Sequence, residues 1–192
     1  PDELTKVGAI TLSAWGKGAN CVAIMNGVVA VAVENADKQA SGQAVFFNAD
    51  GDFISAVTVG ALPDMIKFSP DGKHVLVANE GEPNDAFTND PEGSVSIISL
   101  SGGVDELSDS DVRTVDFTFL NNADLPYGMR TSNPGTSSVA QDVEPEYIAV
   151  SKDSKTAYVS LQENNAVAII DIETASVVRI AGLGFKDHSV HA

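Results

Sequence analysis

Three stretches of the sequence gather side chains that could bind metal or move protons. The first is Glu80-Gly81-Glu82-Pro83-Asn84-Asp85, continued by Asn89-Asp90-Pro91-Glu92-Gly93. Glu80, Glu82, Asp85, Asp90 and Glu92 are hard oxygen donors at close spacing, and Ca²⁺ takes about six to eight such oxygens. The interleaved Pro and Gly residues would fix the directions of these carboxylates. The run does not follow the EF-hand pattern, so a solvated acidic loop is the plainer account of it. The second stretch is Asp142-Val143-Glu144-Pro145-Glu146, with Asp64 in the same phase of an earlier Pro-Asp pair. If Asp64, Glu144 and Glu146 converge on one opening, they raise one another's pKa values unless a cation neutralises them. Such a ring could hold calcium or another divalent metal for a phosphate or a sugar. The plainer alternative is a polar rim of turn residues. The third stretch is Lys186-Asp187-His188-Ser189, with His191 nearby. Its Asp-His-Ser order is not a catalytic triad, because triad members meet in space from separate segments. Asp187 and His188 instead suit Zn²⁺ or another transition metal.

Other chemistries lack support. No phosphate-cradling or dinucleotide-binding glycine motif, no CxxC pair and no GxSxG elbow is present. The formal net charge of −16, from 27 acidic and 11 basic residues, opposes nucleic acid and anionic membranes as partners. It suits cation binding, or simply solubility in a salty medium. The single cysteine, Cys21, excludes an internal disulfide and reads as a buried, inert thiol. No apolar run has the length of a membrane span. The opening Pro1-Asp2-Glu3 is not a signal peptide.

The elements that must position these residues repeat. In residues 62–100 an apolar strand at 65–68 meets the turn Ser69-Pro70-Asp71-Gly72, where Pro presets φ and Gly accepts a positive φ. Strand 75–78 follows, apolar on both faces, then the acidic loop and strand 95–100. A fourth strand is expected at 113–117, with a helical turn or two in 104–112. MIKFSPDGKHVLVANE, YIAVSKDSKTAYVSLQ and VAIMNGVVAVAVE share one pattern, and GSVSIISL, NAVAIIDI and GQAVFFNA match as third strands. Four strands per unit at a period of about 40–50 residues is the signature of propeller blades. The predicted fold is therefore all-β: three four-stranded antiparallel blades at about 20–60, 62–118 and 145–181. An irregular insertion at 119–143 and a lone N-terminal strand at 6–12 complete it. Radial stacking buries both faces of each sheet. Because propellers use about 4–8 blades, three are expected to form part of a longer ring, completed by further blades or by self-association.

The repeat resembles the YVTN or surface-layer class of bacterial seven-bladed propellers. More narrowly, VANEGEPND, DPEGSVSII, VAQDVEPEYIAVS, LQENNAVAIIDI and LGFKDHS resemble the choice-of-anchor I domain. That resemblance implies a secreted, periplasmic or cell-surface protein. Similar proteins include an animal mesenchyme-specific cell-surface glycoprotein and atypical alkaline phosphatases. Two functions follow as expectations. One is a non-catalytic propeller that binds a protein, glycan or small ligand, with structural calcium. The other is a metal-dependent phosphoesterase at the acidic channel mouth, with Arg130 as the phosphate-facing cation.

Overall fold

The computed structural model describes residues 5–132 and 137–189. Three antiparallel sheets of four strands account for the described strands, each in consecutive order. The first blade comprises β1 (Gly18–Met25), β2 (Val28–Glu34), β3 (Ser41–Asn48) and β4 (Phe53–Ala61). The second comprises β5 (Pro63–Phe68), β6 (His74–Asn79), β7 (Ser94–Ser99) and β8 (Val112–Asp116). The third comprises β9 (Pro145–Val150), β10 (Thr156–Leu161), β11 (Ala166–Asp171) and β12 (Ser176–Gly182). β5 packs against β1 on one side and β9 on the other, so the first strand of each blade lies innermost.

Local chemistry sets the hairpins. Asn26 and Gly27 both have positive φ, 51° and 80°, as a type I′ turn requires. In the second blade the Ser69 hydroxyl donates to Asp71 at 2.7 Å, while its oxygen accepts from the His74 N–H at 3.0 Å. The third blade repeats this with Ser151, Asp153 and Thr156. There Ser154 takes the left-handed φ of 61° that Gly72 takes in the second blade. Its hydroxyl oxygen also accepts the Asp71 N–H at 2.9 Å, which ties the two turns together.

The long apolar runs are explained by burial on both faces. Ile66, Val75, Val77 and Ile98 face the first blade's Ala30, Ala32, Ala44 and Phe46. The intervening Met65, Leu76, Ala78, Val95 and Ile97 face the third blade's Ile148, Ala157, Val159 and Ile170. A strand's side chains alternate between faces, so a strand buried above and below has no polar phase left.

The lone strand expected at 6–12 does not form: no described residue of 5–12 is in a strand. Residues 5–11 are exposed, Val7 completely, and the segment reaches the first blade on a sheet face rather than along an edge. Leu12 and Trp15 cover Val31, Val33, Val45 and Phe47 on the outer face of the first blade. The Trp15 ring stacks on Phe53 at 5.0 Å and meets Phe47 edge-on at 5.4 Å. The opposite end differs. Tyr147, Tyr158 and Val178 are exposed on the third blade's outer face, although Met65 and Leu76 at the positions matching the two tyrosines are buried.

Two 3₁₀ turns, Val104–Glu106 and Asp109–Asp111, occupy the expected helical stretch. The insertion is more ordered than expected. It carries a 3₁₀ turn at Thr118–Asn122 and a short helix, α1 (Val139–Asp142). Ser138 caps that helix reciprocally with Gln141. Leu120, Met129, Ala140 and Val143 from this region join the core between the second and third blades. Cys21 is half-buried rather than buried, with its sulfur 3.7 Å from the Ile66 carbonyl oxygen.

Candidate functional site

The strand register decides which acidic residues meet. Pro63 at the start of β5 pairs with Asn79 at the end of β6, and Pro145 at the start of β9 pairs with Leu161 at the end of β10. Residues flanking those four positions therefore share one end of the stacked blades. Asp64 and Glu146 are the second residues of their strands, Glu144 immediately precedes β9, and Glu80 immediately follows β6. Glu163 lies in the turn after β10.

The carboxylates feel one another. Burial, then the charges of Glu82, Asp64, Glu144 and Glu146, push Glu80 up to about 8. Burial, then Glu163, Glu82, Asp142 and Asp90, push Glu144 up to about 7. Burial raises Asp64, and burial followed by Asp64 and Glu163 raises Glu146. Counter-charge is sparse. Among the described residues, the one ion pair at this rim joins Lys38 Nζ to Glu82 Oε2 at 3.7 Å. Arg130 donates from Nε to the Glu163 carbonyl oxygen at 2.9 Å, and its side chain is exposed beside the rim.

The candidate residues fall into distinct groups. Asp64, Glu80, Glu82, Glu144 and Glu146 belong to one acidic rim. Asp90 joins its field and fastens the acidic loop to α1. Its Oδ2 accepts from the Ser137 hydroxyl, and its carbonyl accepts from Gln141 Nε2 at 2.6 Å. Asp90 Oδ1 is buried with no hydrogen-bond partner among the described residues. Asp85 and Glu92 are exposed. Asp85 lines a polar cleft of about 440 Å³ with Asp37, Lys38 and Glu82, between the loops of the first and second blades. Asp187 bonds within its own turn, accepting from the Ser189 N–H at 2.8 Å and the Ser189 hydroxyl at 2.6 Å. His188 is exposed beside it, and His191 lies outside the described residues.

Asp142 is a structural carboxylate. It is 4% exposed, and both its oxygens accept the Ser132 N–H at 2.9 Å. Asn164, fully buried, donates to Asp142 Oδ2 and to its carbonyl oxygen, each at 2.9 Å, and to the Arg130 carbonyl oxygen at 3.2 Å. This network pins the insertion beneath the rim. Sequence reasoning missed Glu163 and Asn164. The matched repeats set Gln162 opposite Glu80, one residue short of Glu163.

The donors suit a hard cation, since carboxylates, carbonyls and water are what Ca²⁺ and Mg²⁺ take. The spacing does not supply a closed shell: among the described residues, no three His, Cys, Asp or Glu side chains come together as a metal site. An ion held here would complete its coordination with water.

Comparisons with known proteins agree with the architecture. A family model described as the choice-of-anchor I domain matches residues 1–192. No curated protein sequence matches the chain. Three similar solved structures illustrate the fold. A eukaryotic initiation factor has 12% identity and a TM-score of 0.56, over 93% of this chain and 35% of its own. Kuenenia stuttgartiensis hydrazine synthase has 14% identity and a TM-score of 0.54, over 84% of this chain and 48% of its own. The Myceliophteria thermophila Cps50 (Swd1) β-propeller domain has 12% identity and a TM-score of 0.51, over 88% of this chain and 42% of its own. The chain thus spans less than half the length of each. At these identities the likeness concerns the fold alone, which is that of β-propeller blades.

Proposed function

The chain belongs to the choice-of-anchor I domain family, and on that premise we propose that it is a secreted or surface-attached propeller module that binds rather than catalyses, with its acidic rim as a cation site. The observation that carries this reading is the gathering of Asp64, Glu80, Glu82, Glu144 and Glu146 at one end of the blades, with Lys38 as the paired cation there; burial and mutual charge push Glu80 and Glu144 up to about 8 and about 7. A divalent cation placed there would relieve that repulsion and let both glutamates ionise at neutral pH. Calcium suits the oxygen-only donors and tolerates the water ligands the spacing requires. The bound rim would then present fixed charge to a protein, glycan or small ligand. The bare outer face of the third blade would be covered by a further blade or by another copy of the chain, as such an apolar face favours.

The test is thermal melting near neutral pH with Ca²⁺, with Mg²⁺ and with chelator. Calcium is expected to raise the midpoint, and Glu80→Gln together with Glu144→Gln to remove that rise. An unchanged midpoint in millimolar calcium overturns the calcium reading. A second reading, metal-dependent phosphoester hydrolysis, draws on Arg130, whose guanidinium is held beside Glu163. Turnover of a chromogenic monoester that both chelator and Glu146→Gln abolish would select it. The sparse positive charge around the rim favours binding.

A further inference from the structure

The opposite end of the blades has a different character. β6 begins at His74 and ends at Asn79 beside the rim, so its first residue lies roughly 17 Å away at the usual rise per strand residue. There a cleft of about 590 Å³ opens between the second and third blades. Its walls are Gly72, Lys73, His74, Ser99, Leu100, Ser101, Arg113 and Glu173. In a chain with 27 acids and 11 bases, this cleft carries two cations against one carboxylate. A neighbouring cleft of about 450 Å³ shares Lys73, His74 and Glu173 but adds Asp71, Asp153 and Asp171 against Lys155, so the excess of cations is confined to the first cleft. Two blades of the described chain build the whole site, so it needs nothing from any further blade.

Each wall offers a different group. Arg113 is held in place, donating to the Ile172 carbonyl at 3.0 Å and the Glu173 carbonyl at 2.5 Å. A guanidinium has five N–H donors, so those two bonds leave others for a ligand. The Lys73 side chain is 75% exposed and reaches Asp71 only at 4.0 Å, a loose contact that an incoming anion can replace. Ser99 and Ser101 place their hydroxyl oxygens 3.0 Å apart. His74 Nδ1 is buried with no hydrogen-bond partner among the described residues, and such an atom is exceptional in a folded chain. Burial, then Arg113, hold the imidazole's pKa below its ordinary value. A neutral imidazole offers one donor and one acceptor.

Two cations, two hydroxyls, one carboxylate acceptor and the apolar side chain of Leu100 match a ligand that carries both a negative charge and several hydroxyl groups. The volume falls in the range of small-molecule sites, about 300–1,000 Å³. We propose that this interblade cleft binds an anionic hexose, with its acidic group against Lys73 and Arg113 and its hydroxyls against Ser99, Ser101 and Glu173. The acidic group is a carboxylate in a uronate and a phosphate in a hexose phosphate, and the cleft's donors accept either.

The test is a titration of the chain with glucuronate, glucose 6-phosphate, inorganic phosphate and glucose, followed by backbone amide NMR shifts. Saturable shifts at residues 72–74 and 99–101 are expected with at least one anionic hexose. Binding is expected to be about tenfold tighter than that of glucose, the worth of one charge-assisted contact. Preference for glucuronate names the carboxylate as the recognised group, and preference for glucose 6-phosphate names the phosphate. Lys73→Glu, at an exposed side chain, should weaken binding by about tenfold or more with an unchanged melting profile. Ser101→Ala should weaken the hexose and leave inorganic phosphate unaffected. Shifts absent from these amides with both anionic hexoses overturn the proposal. So does inorganic phosphate binding as tightly as the sugar phosphate, or binding that is indifferent to Lys73→Glu.

Discussion

Replacing Glu80 with Gln should stabilise the protein, and the gain should depend on pH. In the folded chain Glu80 is pushed from 4.5 up to about 8, first by burial and then by four neighbouring acids. At about 1.4 kcal/mol per pH unit, that difference bounds the cost of ionising Glu80 at about 5 kcal/mol. Solvent still reaches the side chain, and screening brings the figure to about 2 kcal/mol. The folded-state value exceeds the unfolded one. Between about pH 4.5 and pH 8 the folded chain therefore holds a proton that the unfolded chain has released, and stability falls as pH rises through that window. Near pH 5 the wild type already carries a neutral Glu80, so the variant should melt within a degree or two of it. Near pH 8.5 the variant should be more stable by about 2 kcal/mol, or about 4–8 °C in Tm for a chain of this size. Urea unfolding monitored by circular dichroism at several pH values, without divalent cations, measures this directly. A gain of equal size at both ends of the pH range would refute the reasoning, because it would show that Gln helps by packing and not by removing charge.

Other perturbations probe the supports of the site. Asn164→Ala removes three hydrogen bonds and leaves the buried Asp142 short of a donor; urea unfolding should show a loss of about 3 kcal/mol. Arg113→Ala breaks the bridge to Ile172 and Glu173 across two blades, which should cost about 2 kcal/mol in the same assay. Trp15→Ala uncovers Phe47 and Phe53 on the first blade, and should cost about 3 kcal/mol and raise binding of a hydrophobic dye. Because Trp15 is the one tryptophan, its fluorescence in the parent protein reports whether the N-terminal segment is docked.

The blades were legible because their signals are local. The turn at 69–72 and the doubly apolar runs at 75–78 and 28–33 depend on neighbours in sequence, and matching three such units gave the architecture. Strand ends were less legible: β1 and β3 extend beyond their apolar cores into Gly18-Ala19-Asn20 and Ser41-Gly42-Gln43, where pairing and not hydrophobicity decides. The segment at 6–12 has strand composition, yet it runs largely exposed and pairs with none of the outer strands β4, β8 and β12, a fact no local pattern contains. The rim was half legible. Alignment of the repeats brought Asp64 and Glu146 into one phase, whereas Glu80 read as part of a separate acidic loop. Glu163 comes from a turn whose length differs between blades, so its approach to Glu144 and Glu146 is a tertiary fact. The buried Asp142–Asn164 pair joins segments that sequence gives no reason to connect.

The N-terminal segment's hold on the first blade gives the arc a polarity. One end is sealed by Leu12 and Trp15, while the other presents Tyr147, Tyr158 and Val178 uncovered. Head-to-tail growth of identical copies would have to peel that seal away at every junction. Two copies meeting through their bare ends would keep it intact and would stop at a symmetric pair. If copies of the chain associate as proposed, the seal favours a closed pair over an open filament.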